Sequence, residues 1–249
     1  MNAHQGRVAI VTGAGSGIGA TTVELLHSQG ASVVGVDLDI SGVPNGERVA
    51  SLAGDATDPA VNEAMVALAV ERFGGLNTLV LNAGMSRRGR IDELPIEDFD
   101  EVWNLNVRAV ALGIQAAVPT VEKSDGGAIA VTASTSGLGG DPGMWAYNTS
   151  KGAVINLVRA AALDLGPRGI RVNAVAPGPT ETAMTERIQG HESIYEELRR
   201  RMALQRWGQP EEIAAVIGFL VSPAASFVTG AIVPADGGMS ANSGQFSPG

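Results

Sequence analysis

Two rhythms alternate along the chain. Short continuous apolar runs, rich in valine, isoleucine and alanine, are separated by longer stretches whose apolar positions recur every three or four residues. The first rhythm predicts strands buried on both faces, and the second predicts helices laid against them. Strands are expected at Val8–Val11, Ser32–Val36, Val49–Leu52, Thr78–Leu81, Ala128–Thr132, Ile170–Val175 and, briefly, Ala231–Val233. Helices are expected at Ile18–Gln29, Ala60–Phe73, Ile96 to about Val118, Met144–Leu165 and Glu211–Leu220. In the fourth of these the apolar stripe is Val154, Leu157, Val158, Ala161 and Leu165, and Gly166-Pro167-Arg168-Gly169 stops it.

Apolar strands alternating with helices imply a parallel sheet covered on both faces, a doubly wound α/β fold of the Rossmann-like kind with about seven strands. No linker is long or polar enough to divide it, so residues 1–249 are expected to form a single domain. Two stretches depart from the rhythm. Between the second and third strands, Gly42, Pro44 and Gly46 break any helix, leaving a loop or a single turn as the crossover. Residues 184–202 have helical pieces with weak periodicity, the pattern of a substrate lid, and 239–249 read as a loose C-terminal tail.

Composition narrows the chemistry. With 45% hydrophobic and 17% charged residues the chain can build a core. It has no cysteine, which excludes disulfides, thiolate metal sites and a cysteine nucleophile. His4, His27 and His191 lack metal-ligand spacing, so no metal is expected. A formal charge of -9 disfavours nucleic acid, anionic lipid and acidic protein partners. No run approaches the roughly 18 apolar residues of a membrane span, and no signal peptide is evident. The expectation is a cytoplasmic protein acting on a small molecule.

The first strand runs into Thr12-Gly13-Ala14-Gly15-Ser16-Gly17-Ile18-Gly19. Glycines let a diphosphate approach the main chain, and the helix that follows offers it free N–H groups and a positive dipole end. Asp37 closes the second strand, where an acid can accept hydrogen bonds from an adenosine ribose and repel the extra phosphate of NADP. No Arg or Lys lies between Thr12 and Asp37. The expected cofactor is NAD.

Tyr147 and Lys151 stand four residues apart on an expected helix, so they face the same way. A tyrosine ionises near 10, too high for a base at neutral pH; a neighbouring ammonium and a cationic nicotinamide should lower it. Ser134, at the end of the fifth strand, can hydrogen-bond a substrate oxygen. Together with the glycine loop, this Ser…Tyr-x-x-x-Lys set resembles the short-chain dehydrogenase/reductase family, and the resemblance covers nearly the whole chain. Asn82-Ala83-Gly84 resembles the family's Asn-Ala-Gly motif, Asn106 its catalytic Asn, and Pro177-Gly178, with Thr180 and Thr182 beyond, its nicotinamide-side motif. Asp55-Ala56 resembles the adenine-binding acid and its neighbour, and Asp236-Gly237-Gly238 the C-terminal signature. The resemblance implies hydride transfer between a carbinol carbon and nicotinamide, with Tyr147 as general acid/base, Ser134 orienting the substrate, Lys151 also holding the nicotinamide ribose, and Asn106 supporting a proton-relaying water. It also implies a homotetramer or homodimer built on the two long helices.

Ser86–Arg90, Gly139–Trp145 and Met184–Met202 are the candidate substrate-facing segments. Met144, Trp145, Met184, Ile188 and Tyr195 make them mostly apolar, which suits a small or cyclic secondary alcohol, diol or ketone. Arg87, Arg88 and Arg90 form a basic cluster near the cleft mouth that could bind a carboxylate or phosphate on the substrate; the favoured expectation is that they are solvated or paired with acids. Two alternatives remain: a 3-oxoacyl-carrier-protein reductase, against which Asp37 and the negative charge speak, and a non-catalytic NAD-binding regulator, against which the complete Ser–Tyr–Lys set speaks.

Overall fold

The computed structural model describes residues 3–44, 46–124 and 126–241. Seven strands form one all-parallel sheet in the order β3-β2-β1-β4-β5-β6-β7: β1 Val8–Thr12, β2 Ser32–Asp37, β3 Val49–Ala53, β4 Thr78–Leu81, β5 Gly127–Thr132, β6 Ile170–Pro177 and β7 Ile232–Ala235. β1, β4 and β5 are buried along their whole length, which is why they read as unbroken apolar runs.

Two helical layers cover the sheet. On one face α1 (Gly17–Ser28) and α8 (Pro210–Val221) bury Val23, Leu26, Ile213, Ile217 and Leu220 against Val11, Val33 and Val80. On the other, α2 (Pro59–Phe73), α4 (Ala109–Val121) and α5 (Trp145–Leu165) pack Met65, Ile114, Val118, Val154 and Val158 against Ile10, Leu79 and Ile129. Sequence chemistry sets the helix ends. Asp58 accepts the Ala60 N–H at the start of α2, and Gly74 ends it with φ 81. Gln209 and Glu212 cap α8 reciprocally.

The long helix expected from Ile96 is in fact compound. α3 (Ile96–Trp103) passes through a π-helical turn at Asn104–Arg108 into α4, which continues past Pro119 to Val121. Residues 38–44 and 46–48 contain no helix, as the glycines and proline there dictate. Residues 184–202 resolve into α6 (Glu186–Gln189) and α7 (Glu192–Arg201). Met202 beyond them is 1% exposed, so the expected lid ends anchored in the body. Most of the expected tail, 242–249, lies outside the described residues. Among the described residues no helix is long and apolar enough to cross a membrane.

Candidate active site

Because all seven strands run in one direction, their C-terminal ends share one edge, where the strand order reverses at β1 and β4. A cleft of about 570 Å3 opens there. It is lined by Gly13, Ser16, Gly17, Ile18, Asp37, Asp55, Ala56, Asn82, Ala83, Gly84, Ser134, Tyr147, Lys151, Pro177, Gly178, Thr180 and Thr182. Of the residues expected to bind cofactor, Gly15 and Gly19 alone are absent from this lining. They act behind it: a Cβ on Gly19 would collide with the Gly13 carbonyl oxygen, and one on Gly15 with that of Asp39. Their role is to let the loop fold tightly rather than to face the cleft.

The residues present suit a dinucleotide. Ser16 makes no side-chain cap at the N-terminus of α1, which leaves the first-turn N–H groups free for an anion. Asp37 braces the glycine loop, its Oδ2 accepting from Gly15 N at 2.8 Å and its Oδ1 from Asp39 N at 3.2 Å. Lys151 is the one cation on the cleft lining among the described residues, and it lies at the β5 end, away from Asp37. Arg48, the basic residue next after Asp37 in the chain, donates instead to the carbonyls of His27 and Ala31. Asp55 turns the chain after β3, accepting from Thr57 N at 2.8 Å.

At the other end of the cleft, α5 carries Tyr147 and Lys151 side by side, with Nζ 5.7 Å from the phenol ring centre. Lys151 is buried and donates to the Thr132 carbonyl at 2.7 Å; without a countercharge, burial lowers its pKa to about 8. Ser134 stands beside the phenol, its Oγ accepting from Ser136 N at 3.1 Å. The expectation that the lysine lowers the tyrosine is not met by the polypeptide alone. Burial raises the Tyr147 pKa above its ordinary value, the Ser134 hydroxyl works the other way, and the Asp141 carboxylate adds to the rise.

Asn106 sits in the π-helical turn, 1% exposed. Its amide is fully engaged: Oδ1 accepts from Met85 N, and Nδ2 donates to Met85 O and to Ser150 Oγ, each at 2.9 Å. Ser150 in turn donates to the Tyr147 carbonyl at 2.7 Å. A Cβ on Gly84 would lie 3.2 Å from Asn106 Oδ1 and 3.5 Å from Lys151 Nζ, so these three groups converge.

Sequence reasoning missed several partners. Thr12 Oγ1 accepts from the N–H groups of Asn82 and Ala83, tying β1 to the turn after β4. Thr132 Oγ1 donates to Asn82 Oδ1, and its carbonyl holds Lys151. Ser150 lay inside the Tyr-x-x-x-Lys motif, but nothing in the pattern marked it. Gly178 packs on Asp236, where a Cβ would approach within 2.8 Å, so the Pro-Gly and Asp-Gly-Gly motifs form one joint.

The candidate substrate residues divide. Met184 lines the cleft and is half exposed. Trp145 stacks on Phe99 at 5.1 Å, and Tyr195 stacks on Trp207 at 4.8 Å while donating to Glu181, so neither ring lines the cleft. Met144 does not line it either, and the Ile188 side chain lies outside the described residues. Arg87 pairs with Asp98 and Glu101, and Arg90 with Asp92 and Glu93; Arg88 is exposed.

Sheet order, glycine loop and Ser–Tyr–Lys geometry define a dinucleotide-dependent oxidoreductase of the Rossmann type. A family model described as enoyl-(acyl carrier protein) reductase matches residues 13–240. The chain is 38% identical over 246 residues to meso-2,3-butanediol dehydrogenase of Serratia marcescens, covering 96% of each chain. It is 37% identical over 245 residues to a 3-oxoacyl-[acyl-carrier-protein] reductase of Thermotoga maritima, covering 94% and 98%. A solved short-chain dehydrogenase/reductase of Brucella melitensis, described as a glucose/ribitol dehydrogenase, superposes with a TM-score of 0.89 at 36% identity, covering 94% of this chain and 97% of that one. The chain therefore belongs to the short-chain dehydrogenase/reductase family, whose members act on CH–OH groups with NAD(P).

Proposed function

We propose that the chain is an NAD-dependent dehydrogenase/reductase interconverting a small, apolar or cyclic secondary alcohol or diol and its ketone. The observation that carries this is a single cleft with Asp37 at one end and Ser134, Tyr147 and Lys151 at the other. The nicotinamide supplies the hydride chemistry. Tyr147 takes the hydroxyl proton in oxidation and returns it in reduction, and Ser134 hydrogen-bonds the same oxygen and fixes its distance from the phenol. Lys151, on the same face of α5, favours phenolate while it keeps its proton and holds the nicotinamide ribose. Asn106 anchors the Met85 turn and Ser150 beneath the pair, the support through which a relay water would be held. Gly13, Gly15, Ser16, Gly17, Ile18 and Gly19 seat the diphosphate. Asp37 takes the adenosine ribose, and Asp55 and Ala56 take the adenine side. Asn82, Ala83, Gly84, Pro177, Gly178, Thr180 and Thr182 frame the nicotinamide half.

Asp37, with no cation beside it on the cleft among the described residues, favours NAD over NADP. The same feature speaks against a 3-oxoacyl-carrier-protein reductase, despite nearly equal identity to one. The butanediol and glucose/ribitol names of its relatives favour hydroxyl-bearing carbon centres as substrates. Residues 184–202, with Met184 on the cleft, are assigned as the substrate lid. Assembly as a homotetramer or homodimer through the α3–α4 and α5 faces is part of the same reading, and light scattering that finds a monomer would refute it.

The direct test is initial-rate measurement across cyclic alcohols, diols, hydroxy acids and 3-hydroxyacyl thioesters, with NAD and NADP in parallel. Oxidation of an alcohol with NAD is expected. Tyr147→Phe should lower kcat by about 10²–10⁴-fold, the range for a positioned acid–base group, while NADH titration shows cofactor still bound. Wild-type protein that binds NADH but turns over none of these would instead support the non-catalytic regulator.

A further inference from the structure

Residues 178–182, which leave the end of β6, form a strap with two different faces. Thr180 and Thr182 line the cleft, and Glu181 between them does not. Side chains alternate along extended backbone, and Thr182 is extended, at φ -140 and ψ 167. The cleft face reaches the glycine loop: a Cβ on Gly17 would lie 3.3 Å from the Thr182 methyl. The strap thus joins the Pro177-Gly178 side of the cleft to the N-terminus of α1.

The other face is gripped from behind. Glu181 Oε1 accepts from the Tyr195 hydroxyl at 3.0 Å, and Oε2 accepts from Gln209 Nε2 at 2.9 Å. Tyr195 belongs to α7, and Gln209 caps α8, which is packed on the sheet. The backbone is stitched at the same place: Glu181 N donates to the Gly208 carbonyl at 2.9 Å, and Gly208 N to that of Pro179 at 3.0 Å. The Tyr195 ring stacks on Trp207 at 4.8 Å, and Trp207 Nε1 donates to the Tyr195 carbonyl at 3.3 Å. Trp207 is buried in the body, whereas α7 buries none of its own residues. A helix without a buried face gains little from apolar packing, so the docking of α7 rests largely on Tyr195.

We propose that Glu181 is a positioning residue that couples the docking of α7 to the enclosure of the dinucleotide. With Tyr195 on its carboxylate, the strap holds Thr180 and Thr182 against the cleft; when that hydrogen bond breaks, the strap lifts and the nucleotide leaves. This rests on the dinucleotide oxidoreductase reading given above. Glu181 acts through its two neighbours and touches neither substrate nor cofactor. A hydroxyl donating to a carboxylate makes one of the stronger hydrogen bonds. Both partners are half-buried and regain water on opening, so its loss shifts the docking equilibrium on the order of tenfold.

The test combines hydrogen exchange on the cofactor-free protein with stopped-flow release of NADH, in wild type, Tyr195→Phe, Glu181→Gln and Glu181→Ala. Tyr195→Phe keeps the ring for Trp207 and removes the hydroxyl alone. Its amides at 192–201 should exchange up to about tenfold faster. NADH release should quicken by about three- to tenfold, with KM for NAD raised and kcat undiminished, because release and not chemistry is affected. Glu181→Gln, which keeps an acceptor for Tyr195, should fall between wild type and Tyr195→Phe, and Glu181→Ala, which loses Gln209 as well, should go beyond it. Wild-type exchange in both Tyr195→Phe and Glu181→Ala overturns the latch, and faster exchange with wild-type NADH release overturns its coupling to the cleft. If NADH binds but no alcohol is oxidised, the dehydrogenase reading falls, while exchange and NADH release still decide the role of Glu181.

Discussion

At the scale of single residues, Asp37 does two jobs that its position in the sequence did not separate. In the proposed function its charge repels an NADP phosphate; in the structure its two oxygens hold the N–H groups of Gly15 and Asp39. Replacing it therefore tests cofactor choice and loop integrity together unless the shape is kept. Asp37→Asn retains an acceptor oxygen for Gly15 while removing the charge, so NADP use should rise relative to NAD by about tenfold. That corresponds to relief of roughly 1.4 kcal/mol of repulsion at a partly hydrated site. Asp37→Ala also strands the Gly15 N–H, and should lose affinity for both dinucleotides. Paired NAD and NADP kinetics on the two variants check this; an unchanged preference in both would remove Asp37 as the discriminator. Tyr147 and Lys151 teach a related lesson. Helical spacing correctly made them neighbours, but spacing carries no information on burial, and burial moves both groups towards their neutral forms.

At the scale of elements, the strands were legible because β1, β4 and β5 are buried on both sides and admit little but apolar side chains. Their ends were less so. β6 runs on through Ala176 and Pro177, which pair with Pro234 and Ala235 of the edge strand β7, whereas the apolar run alone stopped at Val175. The π-helical turn that places Asn106 left no trace in the periodicity, because one extra residue in a turn is set by packing and not by side-chain type. The Tyr195–Trp207 stack was equally hidden: it joins α7 to a loop twelve residues on, and turned an expected substrate contact into an anchor. The glycine loop was the most legible part of the site, and its joint with α1 gives a sharp test. In Gly19→Ala the new methyl would collide with the Gly13 carbonyl, so loop and helix must separate. A stability loss of about 1–3 kcal/mol by denaturant unfolding is expected, with NADH affinity reduced at least tenfold. Wild-type NADH binding by the Gly19→Ala variant would mean that this joint does not shape the diphosphate site.

At the scale of the whole molecule, the parallel sheet separates chemistry from fold stability. All the groups proposed to act lie at the C-terminal edge, while the N-terminal edge holds a different device. His4, just before β1, is 1% exposed; its N–H reaches the Gln29 carbonyl, and its ring lies beside Gly218 of α8, tying the entry to the sheet to both helices of one layer. Burial lowers its pKa first and the Arg7 charge second, with a backbone hydrogen bond to Gly218 opposing them, and Nδ1 is buried without a partner. A histidine whose folded pKa lies below its unfolded value binds fewer protons in the native state. Its neutral form therefore contributes stability that is complete above the unfolded pKa of about 6.5 and is lost as pH falls below it, with a slope of at most about 1.4 kcal/mol per pH unit for one group. Carboxylates held low, Glu212 at about 2 through Arg206 and the Gln209 N–H foremost, add a second loss at lower pH, as it drops below the ordinary carboxylate range. Unfolding free energy should thus decline from pH 7 to pH 5.5 in wild type, and the decline should flatten in His4→Leu, which fills the same apolar space without a titrating ring. Since His4 sits at the far end of the strands from Tyr147, the variant should leave the pH dependence of kcat where it was. A His4→Leu protein that still loses stability at the wild-type rate over this interval would place the acid sensitivity elsewhere.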